Sequence, residues 1–590
     1  MRLRRLRPRL AHLCLLAIGL CCATANAARP DLRTTFRVGV WTLWHDREVK
    51  LSAAGPGHSI RFQTCTGCGS ITVTQPASIR AAGDALVLTE LRRSIRADRV
   101  TIAAPVKLGA HGETLTLPWP VTVTARSGIL VMAVTMPVES YVERVVASES
   151  DDADSAASLA ALAIVARTFA LHEAHGHTGY DLCDSTQCQL VRWNASTARL
   201  TMARAAALAT AGETLWFHGR PALAYFGKDC GGYTASPAEI WPGAHPLPYL
   251  PARPDAYCTR DGGHEWASKI SFYDLTAVLA THGLARPGWH NLTIAQRGPS
   301  GRAVLLRADA TVIPAEQFRL AVGESLGWNR LPSTWFEVVR QGDRFSFHGR
   351  GWGNGVGLCQ RGATVMAAEG RSTAQILDQY FSGAVAADEA TGHVWLRFSR
   401  QGFQLESLDP SDAAYLPELS RARAEASERS GLNASAPFTV RAFGSTPAFR
   451  AATLAPGWVA AFTQGNWIGT QPLRTLVARH LLENTLRHEF LHALVEGQAG
   501  ANTPLWLREG LVEVWADDAG REDRPPTLSC KAVDAALADS SSEEESARAH
   551  RAAAWYAARL LQRYGRGQML EWLRSGIPAG VGSSLGQRQF

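Results

Sequence analysis

The chain has 590 residues, 46% of them hydrophobic, and a formal charge of +7 from 60 basic and 53 acidic side chains. This length is enough for two or three domains. Residues 1–27 carry five arginines and no acid, so without them the charge falls to about +2 and the composition favours no nucleic-acid partner.

The first 27 residues have the pattern of a secretory signal peptide. A basic head is followed by the apolar residues 10–22 and by the small-x-small site Ala25-Asn26-Ala27. The apolar run is too short for a stable membrane span, and no later segment predicts one. We therefore expect cleavage after Ala27, no transmembrane segment afterwards, and an exported protein of the periplasm or cell envelope.

Eight of the 11 cysteines follow the signal peptide, and an exported protein can form disulfides. Cys65 with Cys68 and Cys230 with Cys258 are candidate pairs, but the sequence alone does not decide connectivity.

Residues 34–130 alternate apolar and polar side chains in short runs rich in Val, Ile and Thr, which predicts a β-rich region. An Ala-rich helix is predicted over 156–174. Between them, Glu149 follows the apolar Val145, Val146 and Ala147. An acid in an apolar cleft has a raised pKa and can donate a proton near neutral pH. The alternative is an ordinary acid at the start of the next helix, stabilised by the helix dipole.

The loop at 349–357 has strictly alternating glycines. That spacing does not match Gly-x-Gly-x-x-Gly, so a dinucleotide site is not expected there. Glycine instead favours a strained turn or a close approach of two backbones.

Five separated motifs resemble the SpoIID/LytB family in order and spacing. They are Tyr141 to Glu149, Ala166 to Ala170, Tyr180 to Gln189, Cys230-Gly231-Gly232 and the loop at 349–363. The resemblance implies a domain over residues 28–400 that binds peptidoglycan glycan strands and acts with a cell-wall amidase. It implies that Glu149 is the catalytic acid of a lytic transglycosylase, which would form a 1,6-anhydro product. The alternative is a glycan-binding, amidase-enhancing module without chemistry.

Two further details concern this resemblance. The family loop commonly has His where this chain has Asn354, which puts the catalytic reading in question. The resemblance also implies a Zn²⁺ site at His177, Cys183 and Cys188, in competition with a disulfide between the two cysteines.

Residues 401–432 are polar and helical in pattern, and we expect a solvated helical linker there, which is either the domain boundary or the first helix of the C-terminal unit. The sequence His488-Glu489-Phe490-Leu491-His492 then lies in an apolar-periodic stretch. On a helix the two imidazoles share one face and are spaced to bind one Zn²⁺, with Glu489 placed as general base. Glu509, in a second helical pattern, offers a third ligand.

Leu486 to His492 followed by Trp506 to Glu513 resembles the gluzincin, peptidase MA-like metallopeptidases. The resemblance implies a domain over residues 433–590 with ligands His488, His492 and Glu509, and with Glu513 as the fallback ligand. The alternative is a structural or inactive zincin domain. The predicted fold class is α+β: a β-rich N-terminal part with an inserted helical segment, then a mostly helical zincin-like domain with a small sheet.

Overall fold

The computed structural model describes residues 33–578 and 581, except 56–57, 90–94, 175, 261, 263, 517–525 and 539–541. The predicted signal peptide lies outside these residues. The α+β class is confirmed, with a β-rich first part and a mainly helical last part.

Among the described residues, twelve strands precede the first helix. They are β1 Thr35–Gly39, β2 Glu48–Ala53, β3 Ile60–Gln63, β4 Ile71–Val73, β5 Ala77–Ala82, β6 Ala85–Thr89, β7 Ile95–Ala97, β8 Arg99–Ile102, β9 Val106–Ala110, β10 Glu113–Leu117, β11 Val121–Arg126 and β12 Ile129–Pro137. They form two six-stranded sheets, in the orders β1-β12-β11-β8-β3-β4 and β10-β9-β2-β5-β6-β7. Alternate side chains of these strands enter one shared core, as the period-two pattern predicts.

A helical segment follows directly, as predicted. It comprises α1 Val138–Glu149, α2 Ala156–Glu173 and α3 Thr197–Ala209. By length and composition α2 could cross a membrane, contrary to our expectation, but 67% of it is buried inside the fold. Short elements come next: β13 Glu213–Phe217, β14 Arg220–Pro221, β15 Phe226–Gly227, β16 Tyr233–Thr234, α4 Pro237–Ile240 and β17 Arg253–Pro254.

Residues 265–350 build a small unit that no sequence pattern predicted. Its elements are β18 Glu265–Ser271, α5 Phe272–Thr281, β19 Leu292–Arg297, β20 Ala303–Ala308, β21 Thr311–Pro314, α6 Ala315–Leu326, β22 Phe336–Gln341 and β23 Arg344–Arg350. They enclose a separate apolar core. The chain then returns to the first part through β24 Leu358–Cys359, α7 Gln360–Ala368, α8 Thr373–Tyr380 and β25 Val385–Asp388.

The C-terminal part is a five-stranded sheet covered by helices. Its elements are β26 Leu396–Arg400, β27 Phe403–Ser407, a 3₁₀ turn Pro410–Tyr415, α9 Leu416–Ser430, β28 Phe438–Ala442, α10 Thr446–Thr453, β29 Ala461–Gln464, β30 Trp467–Thr470, α11 Leu473–Ala478, α12 Leu482–Glu496, α13 Leu505–Ala516, α14 Cys530–Ala538 and α15 Glu543–Ser575. The strand order is β26-β27-β28-β30-β29.

The segment expected to be a solvated linker is packed into this C-terminal core. Within residues 401–432, β27 pairs in parallel with β28, and α9 buries one face. Leu416, Leu419, Ala422 and Ala426 share that face at helical spacing. The polar residues that suggested a linker lie on the opposite face. The domain limits at 400 and 433 stay a prediction.

Two cysteine pairs are bonded: Cys65 with Cys68, and Cys183 with Cys188. The candidate pair Cys230 and Cys258 is not, because both remain free thiols.

Candidate functional sites

Glu149 is the last residue of α1, a helix with most of its surface buried. The alternative of an acid at the start of the next helix is wrong, because α2 begins only at Ala156 behind its own cap, Ser155. The carbonyl end of a helix carries partial negative charge, which disfavours a carboxylate there. The position therefore favours the protonated form of Glu149.

The carboxyl group of Glu149 is half-buried among residues from three other segments. Gln360 Nε2, in the first turn of α7, lies 3.5 Å from Glu149 Oε2. Burial is the main cause that raises the pKa of Glu149. The Gln360 amide, the Leu190 backbone and the charges of Arg192 and Lys228 counteract it. This environment supports both the protonated and the ionised carboxyl group, as an acid that later acts as a base requires.

Hydrogen bonds hold the loop that carries Leu190 and Arg192 against α1. Tyr141 donates its hydroxyl hydrogen to Gln189 Oε1 at 3.0 Å, and Gln189 Nε2 donates to the Ala166 carbonyl at 3.3 Å. The Arg192 backbone N–H donates to Ser148 Oγ at 2.7 Å. Motifs that are far apart in the sequence therefore meet beside Glu149.

The alternating-glycine loop leads directly into α7 and so places Gln360 beside Glu149. Four of its glycines, Gly351, Gly353, Gly355 and Gly357, have φ between 76° and 98°, the region that favours glycine. A Cβ at Gly357 would collide with the Tyr225 carbonyl oxygen, which confirms the expected close backbone approach. Asn354 Oδ1 accepts a hydrogen bond from the Val356 N–H at 2.9 Å. The residue that replaces the expected His thus stabilises its own loop.

His177, Cys183 and Cys188 are brought together as predicted. His177 Nε2 lies 3.1 Å from Cys188 Sγ, and one donor atom from each residue lies within 4.8 Å of the others. The structure also bonds Cys183 to Cys188. A disulfide supplies no thiolate, so a metal at this site would require the reduced pair.

The second site lies on α12 and α13. His488 and His492 share one face of α12, and their Nε2 atoms are 3.0 Å apart. Glu509 Oε2, on α13, lies 3.6 Å from His492 Nε2. Ligands at about 2.0–2.2 Å from Zn²⁺ in tetrahedral geometry are roughly 3.3–3.5 Å apart, and the two separations that involve His492 are close to this spacing. Glu509 Oε2 is also buried and accepts no hydrogen bond from any described residue, which fits the role of a metal ligand.

Two residues beside this site were not predicted by any sequence pattern. Thr463 on β29 donates its hydroxyl hydrogen to Glu489 Oε2 at 2.6 Å. His550 on α15 pairs with the fallback ligand Glu513, with 2.8 Å between Nδ1 and Oε1. His550 Nδ1 also lies 3.7 Å from Glu509 Oε2, so His550 is beside both acids but closer to Glu513, and Glu509 is the acid that lies against His492. Sequence patterns within one helix do not reveal partners from another element.

The His-Glu-x-x-His face opens into a cavity of about 760 Å³. Glu489, Glu509 and His550 line it, together with the half-exposed Trp458. Burial lowers the pKa of His492, which keeps its imidazole in the neutral form that binds metals. The cavity has room for an extended peptide segment.

Comparison with known proteins concerns the Glu149 site. The SpoIID family model, described as stage II sporulation protein, matches residues 126–217. An uncharacterised protein of Brachyspira hyodysenteriae is 26% identical over 42% of this chain and 67% of its own length. The stage II sporulation protein D of Bacillus subtilis is 27% identical over 42% of this chain and 74% of its own. The amidase enhancer of Bacillus subtilis is 23% identical over 40% and 39%, respectively.

The matched range contains Glu149, His177, Cys183 and Cys188, and ends before His488. The predicted resemblance to the SpoIID/LytB family is thus confirmed for this part of the chain. The resemblance of the C-terminal part to gluzincins stays a prediction.

Proposed function

We propose that this is an exported cell-envelope protein with two active sites, of which the first cleaves peptidoglycan glycan strands. The observation that carries the proposal is the half-buried Glu149, held with a raised pKa where α1, α7 and the loop at 180–193 meet. The similarity to proteins named for sporulation and for amidase enhancement supports a role at the cell wall.

In the proposed reaction one carboxyl group acts twice. Protonated Glu149 donates its proton to the glycosidic oxygen between N-acetylmuramic acid and N-acetylglucosamine, and the C1–O bond breaks. Carboxylate Glu149 then accepts the proton of the muramoyl 6-hydroxyl while that oxygen bonds to C1. A 1,6-anhydro ring forms, so the reaction needs no water and no second carboxylate, in contrast to two-carboxylate glycosidases. The Gln360 amide, as a neutral donor, can bind the carboxyl group in both states.

The test uses purified glycan strands and the Glu149→Gln variant. Wild type should release fragments with 1,6-anhydro ends, detected by mass spectrometry as one water lighter than hydrolysis products. Glu149→Gln should lower the yield by at least about 100-fold, the usual size of an acid–base contribution. Glu143→Gln is the matched control, because Glu143 lies on the same helix and burial also raises its pKa. If wild type forms no anhydro ends, the lytic proposal is wrong.

The alternative is a module that binds glycan and enhances an amidase without cutting glycan itself. It is favoured by Asn354, whose carboxamide cannot transfer a proton as the usual His could. Equal stimulation of a purified cell-wall amidase by wild type and by Glu149→Gln, with no anhydro product from either, would support this alternative.

For the second site we propose a zinc-dependent peptidase that acts on stem peptides or on partner proteins. His488, His492 and Glu509 would hold the ion, and bound Zn²⁺ would supply Lewis acidity to polarise a carbonyl. Glu489, oriented by Thr463, is placed to accept a proton from the attacking water. The cavity beside Trp458 would bind the peptide.

This second proposal is tested with the variant Glu489→Gln. Zinc-loaded wild type should cleave a mixture of stem peptides and unfolded protein, and Glu489→Gln should lose about 10²–10⁴-fold in rate. Glu483→Gln is the control, because Glu483 lies in the first turn of the same helix and its side chain is 44% exposed. Equal rates for wild type and Glu489→Gln would contradict a catalytic role, as would no cleavage by either.

A further inference from the structure

A third group of metal-ligand residues lies at the base of the alternating-glycine loop and shares no residue with either proposed active site. Cys230, Asp255, Cys258 and Cys359 each place one donor atom within 4.8 Å of the others. All four side chains are at most 2% exposed. They come from three segments that are distant in the sequence: the turn after β15, the segment after β17, and the junction of β24 with α7.

We propose that these four residues form a structural Zn²⁺ site. Three sulfur donors and one carboxylate are a tetrahedral set that suits this ion. Zn–S bonds of about 2.3 Å place tetrahedral sulfurs roughly 3.8 Å apart, which agrees with donor atoms that are all within 4.8 Å. Because all four positions are filled by buried protein groups, the site has no open position for a substrate and is a closed, structural one.

The surroundings of the four residues are those of an ordered metal site. Tyr380 donates its hydroxyl hydrogen to Asp255 Oδ2 at 3.0 Å, and the Cys258 backbone N–H donates to Asp255 Oδ1 at 3.2 Å. The Cys230 backbone N–H lies 3.3 Å from Cys359 Sγ. Such contacts orient ligands and stabilise thiolates before an ion binds.

Positive charge is also in place to offset the site's negative charge. Three thiolates and a carboxylate around a divalent ion leave a net negative cluster. The fully buried Arg302 donates to the Cys230 carbonyl at 2.8 Å, and Arg361 donates to the Cys258 carbonyl at 2.9 Å. Arg361 Nε also lies 4.0 Å from the buried carboxylate of Asp229, so Arg302 is the buried charge for which a negative metal cluster would compensate.

The competing arrangement is a disulfide. In an oxidising compartment two of the three sulfurs could bond, but the third would remain unpaired, and Asp255 would stay buried beside it. A zinc ion satisfies all four groups at once. Binding would also release protons from the thiols, so the site would be stronger at neutral than at acidic pH.

A metal at this site would fix the positions of the two segments that lie beside Glu149. Cys359 directly precedes Gln360, whose amide contacts Glu149, and Lys228 lies two residues before Cys230. A metal that joins these segments would hold both sides of the carboxyl group in place. This last consequence rests on the proposed glycan cleavage, whereas the metal site itself does not.

The test is zinc content of the full-length exported protein, measured by elemental analysis in a His488→Ala, Cys183→Ser background that removes the other two candidate sites. Cys258→Ser should lower the content by about one equivalent per chain. Cys530→Ser is the matched control, because Cys530 is a free thiol outside the cluster, and it should change nothing.

Cobalt substitution gives a second readout. Co²⁺-loaded protein should show thiolate-to-cobalt charge-transfer absorption and tetrahedral visible bands, which Cys258→Ser loses. If Cys258→Ser fails to fold, Asp255→Asn in the same background keeps the thiols and should weaken binding or shift those bands. Unchanged zinc content in Cys258→Ser and Asp255→Asn, or a disulfide between any two of the three cysteines in wild type, would overturn the proposal. Neither result depends on whether Glu149 cuts glycan.

Discussion

At the scale of single residues, the chemistry of Glu149 follows from its place on a helix end in a largely buried environment. Val146 and Val145, three and four positions before Glu149 on α1, are fully buried in the core. At the end of the helix the side chain reaches the segments that supply Gln360 and Arg192. The position combines burial, which raises the pKa, with access for a substrate.

The raised pKa predicts a pH dependence of both activity and stability. The acid form exists below the folded-state pKa, so glycan cleavage should fall as pH rises through that value. The stability of the fold depends on pH in the same direction. The contribution of Glu149 to the free energy of unfolding is fully present below its pKa in the unfolded chain and is lost as pH rises through its pKa in the folded protein. Glu149→Gln should therefore raise the free energy of unfolding at pH 8 and leave it nearly unchanged at pH 3, where the carboxyl group is protonated in both the folded and the unfolded state.

Urea denaturation at the two pH values measures this effect. Asp309→Asn is a useful contrast, because hydrogen bonds from the His290 backbone lower the pKa of Asp309. Asp309→Asn should not raise the free energy of unfolding at pH 8. Equal effects of Glu149→Gln at pH 3 and pH 8 would show that the carboxyl group titrates normally in the folded protein.

Glu509 and Glu513 predict different metal affinities. Glu509 lies against His492, and Glu513 against His550. Glu509→Gln should therefore abolish zinc binding at His488 and His492. Glu513→Gln should weaken it by about 10–100-fold, as the loss of an outer contact does. Titration with a competing chelator, in a background without the Cys183 and Cys258 thiols, distinguishes the two. The reverse order would show that Glu513 is the third ligand.

At the scale of elements, one buried arginine joins helices α1, α2 and α3. Arg167 on α2 is 0% exposed, and its guanidinium makes two bonds, of 2.9 and 2.5 Å, to the Glu139 carboxylate on α1. It also donates to the carbonyls of Ala207 on α3 and Glu213 on β13. The motif around residues 166–170 thus serves the packing of α1, at whose end Glu149 lies.

Removal of Arg167 should destabilise the fold strongly. Arg167→Met leaves Glu139 as a buried, unpaired charge, which typically costs about 3–5 kcal/mol. The double variant Arg167→Met, Glu139→Gln should recover part of the loss, because the uncompensated charge is gone. Chemical denaturation of the three proteins measures both effects. If the double variant is no more stable than Arg167→Met, the ion pair is not what stabilises this junction.

At the scale of the whole molecule, the two parts share a packed interface. A small apolar cluster combines side chains from both, among them Leu208 and Ala211 from the first part and Phe443, Phe449 and Trp467 from the second. Arg441 on β28 is 1% exposed. Its Nη2 atom lies 2.5 Å from Glu213 Oε1 and 2.6 Å from Glu406 Oε2. The first site and the second site therefore belong to parts that are joined by a buried ion cluster as well as by the chain.

This interface predicts coupled unfolding. Arg441→Met leaves two buried carboxylates without their shared partner and should cost about 3–5 kcal/mol. Calorimetry should show the thermal transition split or broaden, because the two parts lose their main polar contact. Arg397→Met is the matched control: Arg397 also contacts Glu406 but is half-exposed, so about 0–1 kcal/mol is expected. Identical transitions for both variants would show that the parts unfold independently of this cluster.

The sequence by itself determined the features that depend on short spacing. Helical periodicity is enough to place His488 and His492 on one face, period two is enough to place alternate side chains of 34–130 in a core, and the alternating glycines indicate a close backbone approach. Each of these patterns needs only neighbours within a few residues along the chain.

Only the tertiary structure decided which distant residues complete each site. It placed Gln360 beside Glu149, Glu509 beside His492, and Cys359 with Cys230, Cys258 and Asp255. It also packed 401–432 into a core where polarity alone suggested a solvated linker. The physical reason is that these contacts close loops of tens to hundreds of residues, and their partners are selected by the packing of whole elements rather than by any local pattern.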